Sequence, residues 1–242
     1  MIYNGFAQIY DNFMDVSYDE WADYIQGIWR HFGISPNLVL DLACGTGSLT
    51  SILSKRGYDM IGVDISEEML AIARRKDPDI LFLQQDMRKF ELYGTVDAII
   101  CACDAINYLT ENGDLEQVFK LAANYLNPGG LFIFDINTEY KFKEILADNT
   151  FAAADDTAAY IWENFYDDND KINEYSITCF AKDGEVYNRF DELHMQRAYS
   201  VNEIKAALAA ANLEFLAHYH EMTQEEPEVK AERVFFVAKS KK

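Results

Sequence analysis

The feature that most constrains this chain is a rhythm in its first half. Between residues 38 and 137, short, largely apolar runs recur at Leu38–Leu42, Met60–Val63, Ile80–Leu83, Val96–Ala102 and Leu131–Ile133. Helical patterns lie between them, at 67–76 and about 114–126. Short runs without clean polar alternation suit strands buried on both faces, and parallel neighbours need crossover segments that are usually helices. Ser66 is placed to cap the 67–76 helix, with Glu67 and Glu68 favourably set in its first turn. The pattern predicts an α/β fold with a mainly parallel sheet covered on both faces.

The flanking regions read differently. Tyr18, Trp21, Ile25, Ile28 and Trp29 recur at spacings of three and four, so residues 1–35 read as an N-terminal helical lid closed by Gly33 and Pro36. From 138 to 200 the strand–helix alternation stops. Tyr160–Tyr166, Ile172–Phe180 and Val186–Met195 read as three consecutive strands, the last two joined at Asp183-Gly184 as the central pair of a tight hairpin. This segment is expected to be an inserted antiparallel substrate flap. Ser200 and Glu203 form a capping box for a helix over 201–211, and apolar strands follow near Leu213–Tyr219 and Arg233–Ala238. The main domain is thus read as 36–137 together with 201–242.

Composition narrows the function. The 242 residues carry 41 acidic and 21 basic groups, a formal charge of −20, which argues against a basic DNA or RNA groove and a polybasic membrane surface. Cys44, Cys101, Cys103 and Cys179 show neither disulfide-framework nor zinc spacing, so reduced thiols and no metal site are expected. No Lys or Arg occurs in the first twelve residues, and no apolar run nears the roughly 20 residues of a membrane span. The reading is a cytoplasmic protein.

The densest local signal is Val39-Leu40-Asp41-Leu42-Ala43-Cys44-Gly45-Thr46-Gly47-Ser48-Leu49: a buried strand, a bend of small residues, then a helix. Gly45 and Gly47 allow a ligand close to backbone amides. A second strand ends at Asp64, where a carboxylate can accept both hydroxyls of a ribose. A nicotinamide or flavin fingerprint fails, because the third glycine position counted from Gly45 is Thr50. Asp41 would also repel a pyrophosphate, whereas a cofactor with a cationic or amino-bearing tail suits it. No Gly-Lys-Ser/Thr follows the bend, so it is not an ATP-type phosphate loop.

Asp-Leu-Ala-Cys-Gly-Thr-Gly followed by Gly-Val-Asp-Ile-Ser-Glu-Glu-Met-Leu resembles the class I S-adenosylmethionine-dependent methyltransferases. The resemblance implies a Rossmann-like, mainly parallel seven-stranded sheet with the flap inserted after the fifth strand. It also implies S-adenosylmethionine as cofactor. Carried over residue by residue, it places the methionine portion at Asp41, Ala43, Gly45 and Gly47 and the ribose at Asp64. Ile65 and Met69 would pack on the adenine, with Asp86 accepting its exocyclic amine and the Met87 amide meeting a ring nitrogen. Asp104 would end the fourth strand beside the transfer site. Tyr3, Phe6, Ala7, Tyr10 and Asp11, and the stretch Asp191–Tyr199, resemble the lid and flap of small bacterial members similar in layout to glycine and sarcosine N-methyltransferases. Tyr10, Tyr18 and Trp21 are therefore expected to reach the cofactor, and Tyr3 the substrate.

The implied reaction is in-line methyl transfer to nitrogen, oxygen or carbon of a small metabolite. Asp104, Tyr108, Asp135 and His194 are the candidate bases, and Asn107 and Asn137 candidate orienting groups. Segment 138–200 has only six basic residues, so Arg189 and Arg197 stand out as a clamp for a substrate carboxylate, with Tyr199 nearby. A homodimer is left open. The competing readings are a protein or RNA methyltransferase and a non-catalytic cofactor-binding module, because fold alone does not establish catalysis.

Overall fold

The computed structural model describes residues 17–242, so Tyr3 and Tyr10 lie outside the described residues. The chain runs through α1 (Tyr18–His31), β1 (Leu38–Leu42), α2 (Ser48–Lys55), β2 (Asp59–Asp64), α3 (Glu67–Lys76) and β3 (Leu81–Gln84). Then come β4 (Val96–Cys101), a 3₁₀ turn (Ala105–Tyr108), α4 (Asp114–Tyr125) and β5 (Leu126–Asn137). After a π-helical segment (Lys141–Leu146) follow β6 (Thr150–Ala154), β7 (Ala158–Asp167), β8 (Ile172–Asp183) and β9 (Val186–Arg197). The fold closes with α5 (Val201–Ala210), β10 (Leu213–His220) and β11 (Arg233–Ser240).

Seven strands form one sheet in the order β10-β11-β5-β4-β1-β2-β3. Strands β1 to β5 pair in parallel, and β11 joins β5 antiparallel with β10 outside it. The connections run outward from β1 through β2 to β3, and outward on the other side from β4 to β5. That reversal opens a crevice between the carboxyl ends of β1 and β4, the place where open α/β sheets bind ligands. Helices α1, α2 and α3 cover one face of the sheet and α4 and α5 the other, each with its own apolar core. Ser66 caps α3 by accepting from the Met69 amide, and the Ser200–Glu203 capping box starts α5.

Helix α1 is part of this core. Trp21, Ala22, Ile25, Ile28 and Trp29 are buried, and the Trp21 ring lies 5.1 Å from Phe235 of β11. Strands β6 to β9 form a separate four-stranded antiparallel sheet. It has one strand more than its sequence suggests, because Thr-Phe-Ala-Ala-Ala in β6 carries no alternation to mark it. The β8–β9 hairpin pairs Asp183 with Val186, so its central residues are Gly184 and Glu185, one position later than Asp183-Gly184. Gly184 at φ +62° supplies the positive φ that the first central position demands.

Candidate active site

A cleft of about 410 Å³ opens at the crevice. Its first wall grows from the loops after β1, β2 and β3. Ala43, Gly45 and Gly47 all hold positive φ, which turns the chain back sharply between strand and helix. At Gly45 a side chain would meet open space, and its amide donates to Asp64 Oδ2 at 2.9 Å. Asp64 Oδ1 accepts the Ser66 amide at 2.8 Å, so the carboxylate is fixed by backbone donors at the mouth of the cleft. Burial pushes the Asp64 carboxyl above its usual range, and those amide bonds oppose the rise.

Gly47 has a different reason to be glycine. It does not line the cleft, and a Cβ there would stand 2.8 Å from Ala73 Cβ and 3.1 Å from the Phe82 ring. Its place in the motif is explained by helix–strand packing. Asp41 lines the cleft floor at 2 % exposure and accepts the Thr50 hydroxyl at 2.5 Å. Burial lifts its carboxyl to about 7, against the Thr50 bond and with a further push from the Asp64 charge. Ile65, Met69, Asp86, Met87, Arg88 and Tyr18 complete this wall.

The opposite wall comes from the β4 exit and the flap. Ala105, Tyr108, Leu109 and Thr110 line it from below, and Leu193 and Met195 of β9 from above. On the other side of β9, His194 is 1 % exposed. Its Nδ1 lies 3.0 Å from the Tyr108 hydroxyl and its Nε2 3.1 Å from Glu192 Oε2. The result is a buried hydrogen-bonded line, Glu192–His194–Tyr108, that ends at the cleft.

Asp104 and Asp135 sit in a separate network below the floor. Cys103 and Asp104 both take positive φ, turning the Asp104 side chain away from the lining. Its oxygens accept from Arg233 at 2.9 Å and Gln196 at 2.7 Å, and its amide donates to Asp135 Oδ2 at 2.9 Å. Arg233 also pairs with Asp135 and with Glu221, and its guanidinium lies 5.5 Å from the Trp21 ring centroid. Asp135 is 0 % exposed, and burial raises its carboxyl to about 6 against the pull of Arg233. With these bonds committed, neither aspartate is placed as a base, and Trp21 belongs to the network and core.

The remaining sequence-derived residues are structural in their contacts. Asn107 spends its amide on Asn137 and on the Arg197 carbonyl, and both asparagines are buried away from the lining. The Tyr199 hydroxyl donates to the Leu109 carbonyl, while burial raises that phenol to about 12. Arg197 pairs with Glu203 and lies 4.9 Å from the Tyr199 ring centroid. Arg189 is on the exposed part of the hairpin, its side chain 61 % accessible and paired with Asp191. None of these lines the cleft. Sequence reasoning missed Glu192, Gln196, Arg233 and Arg88. The period-two pattern of β9 carries a signal for Glu192 and Gln196, since both share a face with His194; nothing local marks Arg233.

The chain is similar to known methyltransferases. A family model described as a methyltransferase domain matches residues 39–130. The Bacillus subtilis protein YqeM is 37 % identical over 100 % of this chain and 98 % of its own length. A dTDP-3-amino-3,4,6-trideoxy-alpha-D-glucopyranose N,N-dimethyltransferase of Streptomyces venezuelae is 29 % identical, covering 86 % of this chain and 89 % of its own. The crystal structure of an S-adenosylmethionine-dependent methyltransferase from Clostridium acetobutylicum superposes with a TM-score of 0.90 at 36 % identity, covering 98 % of both chains.

Proposed function

From the premise that the chain belongs to the S-adenosylmethionine-dependent methyltransferases, we propose that it methylates an amine nitrogen of a small metabolite. The observation that carries the reading is the two-walled cleft itself. One wall offers fixed carboxylates, and the other brings a buried proton-accepting line to an apolar surface. The similarity to an amino-sugar dimethyltransferase supports nitrogen as the acceptor atom. A carboxylate clamp at Arg189 or Arg197 has no support in the geometry. Arg88 is the one cation among the described lining residues, and Asp86 and Asp114 already engage it. The acceptor is therefore a neutral or cationic molecule with apolar surface toward Leu193 and Met195.

The residues present fit the cofactor. Asp64, held by two amides, is an acceptor for ribose hydroxyls. Asp41, buried beside it, favours positive charge once ionised. Ile65 and Met69 offer apolar surface for a purine, and Asp86 an acceptor for its amine. Bound S-adenosylmethionine supplies a methyl group made electrophilic by its sulfonium.

The chain's own work is to align the acceptor, exclude water and take a proton. An amine arriving as ammonium has no lone pair to attack with. Tyr108 Oη takes that proton as the phenol's own proton passes to His194 Nδ1. The imidazolium so formed is stabilised by Glu192. The Tyr108–His194 and His194–Glu192 bonds both lie within hydrogen-bond reach, as a relay to a general base requires.

The test is an incubation with methyl-labelled cofactor and pooled metabolites rich in amines, read by mass spectrometry, beside protein and RNA pools. A labelled small amine is expected. Label on protein or RNA alone overturns the acceptor class. Cofactor binding with no labelled product in any pool favours a non-catalytic binding module.

A further inference from the structure

In the cofactor wall, Asp86 and Arg88 of one loop are bonded to each other. Asp86 follows β3 and is fixed from three sides. Its Oδ1 accepts the Arg88 amide at 2.9 Å, closing a tight local turn. The Arg88 guanidinium folds back onto the same carboxylate, with Nε 2.9 Å from Oδ1 and 3.1 Å from Oδ2, and its terminal nitrogen 2.6 Å from Oδ2. The far side of the guanidinium is held at 3.3 Å by Asp114, the first residue of α4. This is a planar fork on a carboxylate, with geometric as well as energetic specificity. The Arg88 hydrogen bonds hold the Asp86 carboxyl below its usual range.

The consequence concerns what Asp86 can still accept. Oδ1 already takes two donors, while Oδ2 takes one short bond and shares a longer one. Unlike a freely rotating carboxylate, it is held in one orientation, so whatever acceptor capacity it retains has a fixed direction. Both residues line the cleft, so this fixed carboxylate belongs to the cofactor wall. An acceptor locked in one orientation discriminates more sharply than one that can turn away from a misfit, because a ligand without the donor leaves it unpaired.

We propose that Arg88, anchored by Asp114, is a positioning residue that sets the purine selectivity of the cofactor site by locking Asp86 to demand a donor at purine position 6. The proposal rests on the reading of Asp86 as the adenine acceptor. Arg88 here acts through Asp86 and need not touch the purine.

The experiment is calorimetric titration of the full chain with two probes. One is S-adenosylhomocysteine, and the other is its 6-deamino analogue, which carries hydrogen at purine position 6. The unmodified chain is expected to prefer the adenine compound by about tenfold or more, the scale of one hydrogen bond to a charged group. Arg88→Gln is expected to remove most of that preference by weakening S-adenosylhomocysteine alone, with the analogue changing by less than about twofold. Asp114→Asn is expected to act in the same direction and less strongly, and it guards against a folding defect in the first variant.

Equal loss for both probes overturns the proposal, since it marks a general structural effect. A gain in S-adenosylhomocysteine affinity also overturns it, because the guanidinium then competes with the purine. Equal affinity of the unmodified chain for both probes shows that Asp86 does not read the amine, and the proposal falls with that role. If the unmodified chain binds neither probe, the cofactor reading of the cleft fails first.

Discussion

The two walls of the cleft are built on different principles. The cofactor wall is local and largely backbone-made. Asp41, Ala43, Gly45, Asp64 and Asp86 follow one another within 46 positions, and amides fix the central carboxylate. The acceptor wall and the network below the floor are assembled from afar. Tyr108 meets His194 across 86 positions, and Asp104 meets Gln196 across 92 and Arg233 across 129. A wall made of backbone is set as soon as strand, bend and helix form. A wall made of side-chain networks exists only when several distant registers are right together. The first can stay constant while the second changes its acceptor, as the spread of one fold over many chemistries requires.

The largest effect is expected at Arg233, which holds the network below the floor. Arg233→Met leaves Asp135 buried without its cation, and breaking a buried pair from one side costs about 3–5 kcal/mol. Chemical denaturation should show that loss near pH 8 and a smaller one near pH 5, where Asp135 can neutralise itself by taking a proton. A loss below about 1 kcal/mol at both pH values, the worth of a surface pair, would show that Arg233 does not hold Asp135 as a buried partner.

The next effect separates the walls. Tyr108→Phe should lower kcat by about 100-fold or more on the acceptor found by labelling, the usual scale of general base catalysis. Its affinity for S-adenosylhomocysteine should stay within about twofold, since Tyr108 is assigned to the acceptor wall. A parallel loss in both would merge the walls into one.

The smallest effect sharpens the cofactor side. Asp41 titrates near 7 when the cleft holds no positive charge, so its ionised fraction rises from about a tenth at pH 6 to about nine tenths at pH 8. A cation binds the ionised form, lowers that pKa and releases the proton; affinity must therefore increase with pH. S-adenosylmethionine should bind about tenfold more tightly at pH 8 than at pH 6, and Asp41→Asn should flatten the profile. The sign for folding is opposite. A carboxyl raised above its unfolded value holds a proton more tightly in the folded chain, so Asp41 subtracts stability as pH climbs from about 4 to 7.

Much of the fold was readable because its signals are periodic and local. The parallel strands, the Ser66 cap and the Ser200–Glu203 capping box are each set by residues within a few positions. The bend that lines the cleft was readable for the same reason, except at Gly47, which lies off the lining and where packing on Phe82 calls for the same residue as a ligand's approach would. The hairpin slipped by one position because a positive φ is needed only at Gly184. The acceptor wall was less readable. Arg189 and Arg197 drew attention by rarity, yet each already has an acidic partner that sequence does not reveal. Asp104 lies just past the end of β4 at Cys101, but its orientation follows from the positive φ at Cys103 and Asp104, and its partner arrives from β11.

Strand β11 also orders events in time. It lies between β5 and β10, and its Arg233 neutralises Asp135, made 98 residues earlier. A ribosome adding about 5–20 residues each second needs roughly 5–20 seconds to cover that interval. Throughout it the nascent sheet presents a β5 edge awaiting its neighbour and an aspartate awaiting its cation. The Asp135–Arg233 pair below the cleft is thus completed only once β11 has been made. Chains released before β11 would carry a well-formed cofactor motif on a sheet that cannot close, a species fit for chaperone capture or proteolysis and unfit for turnover.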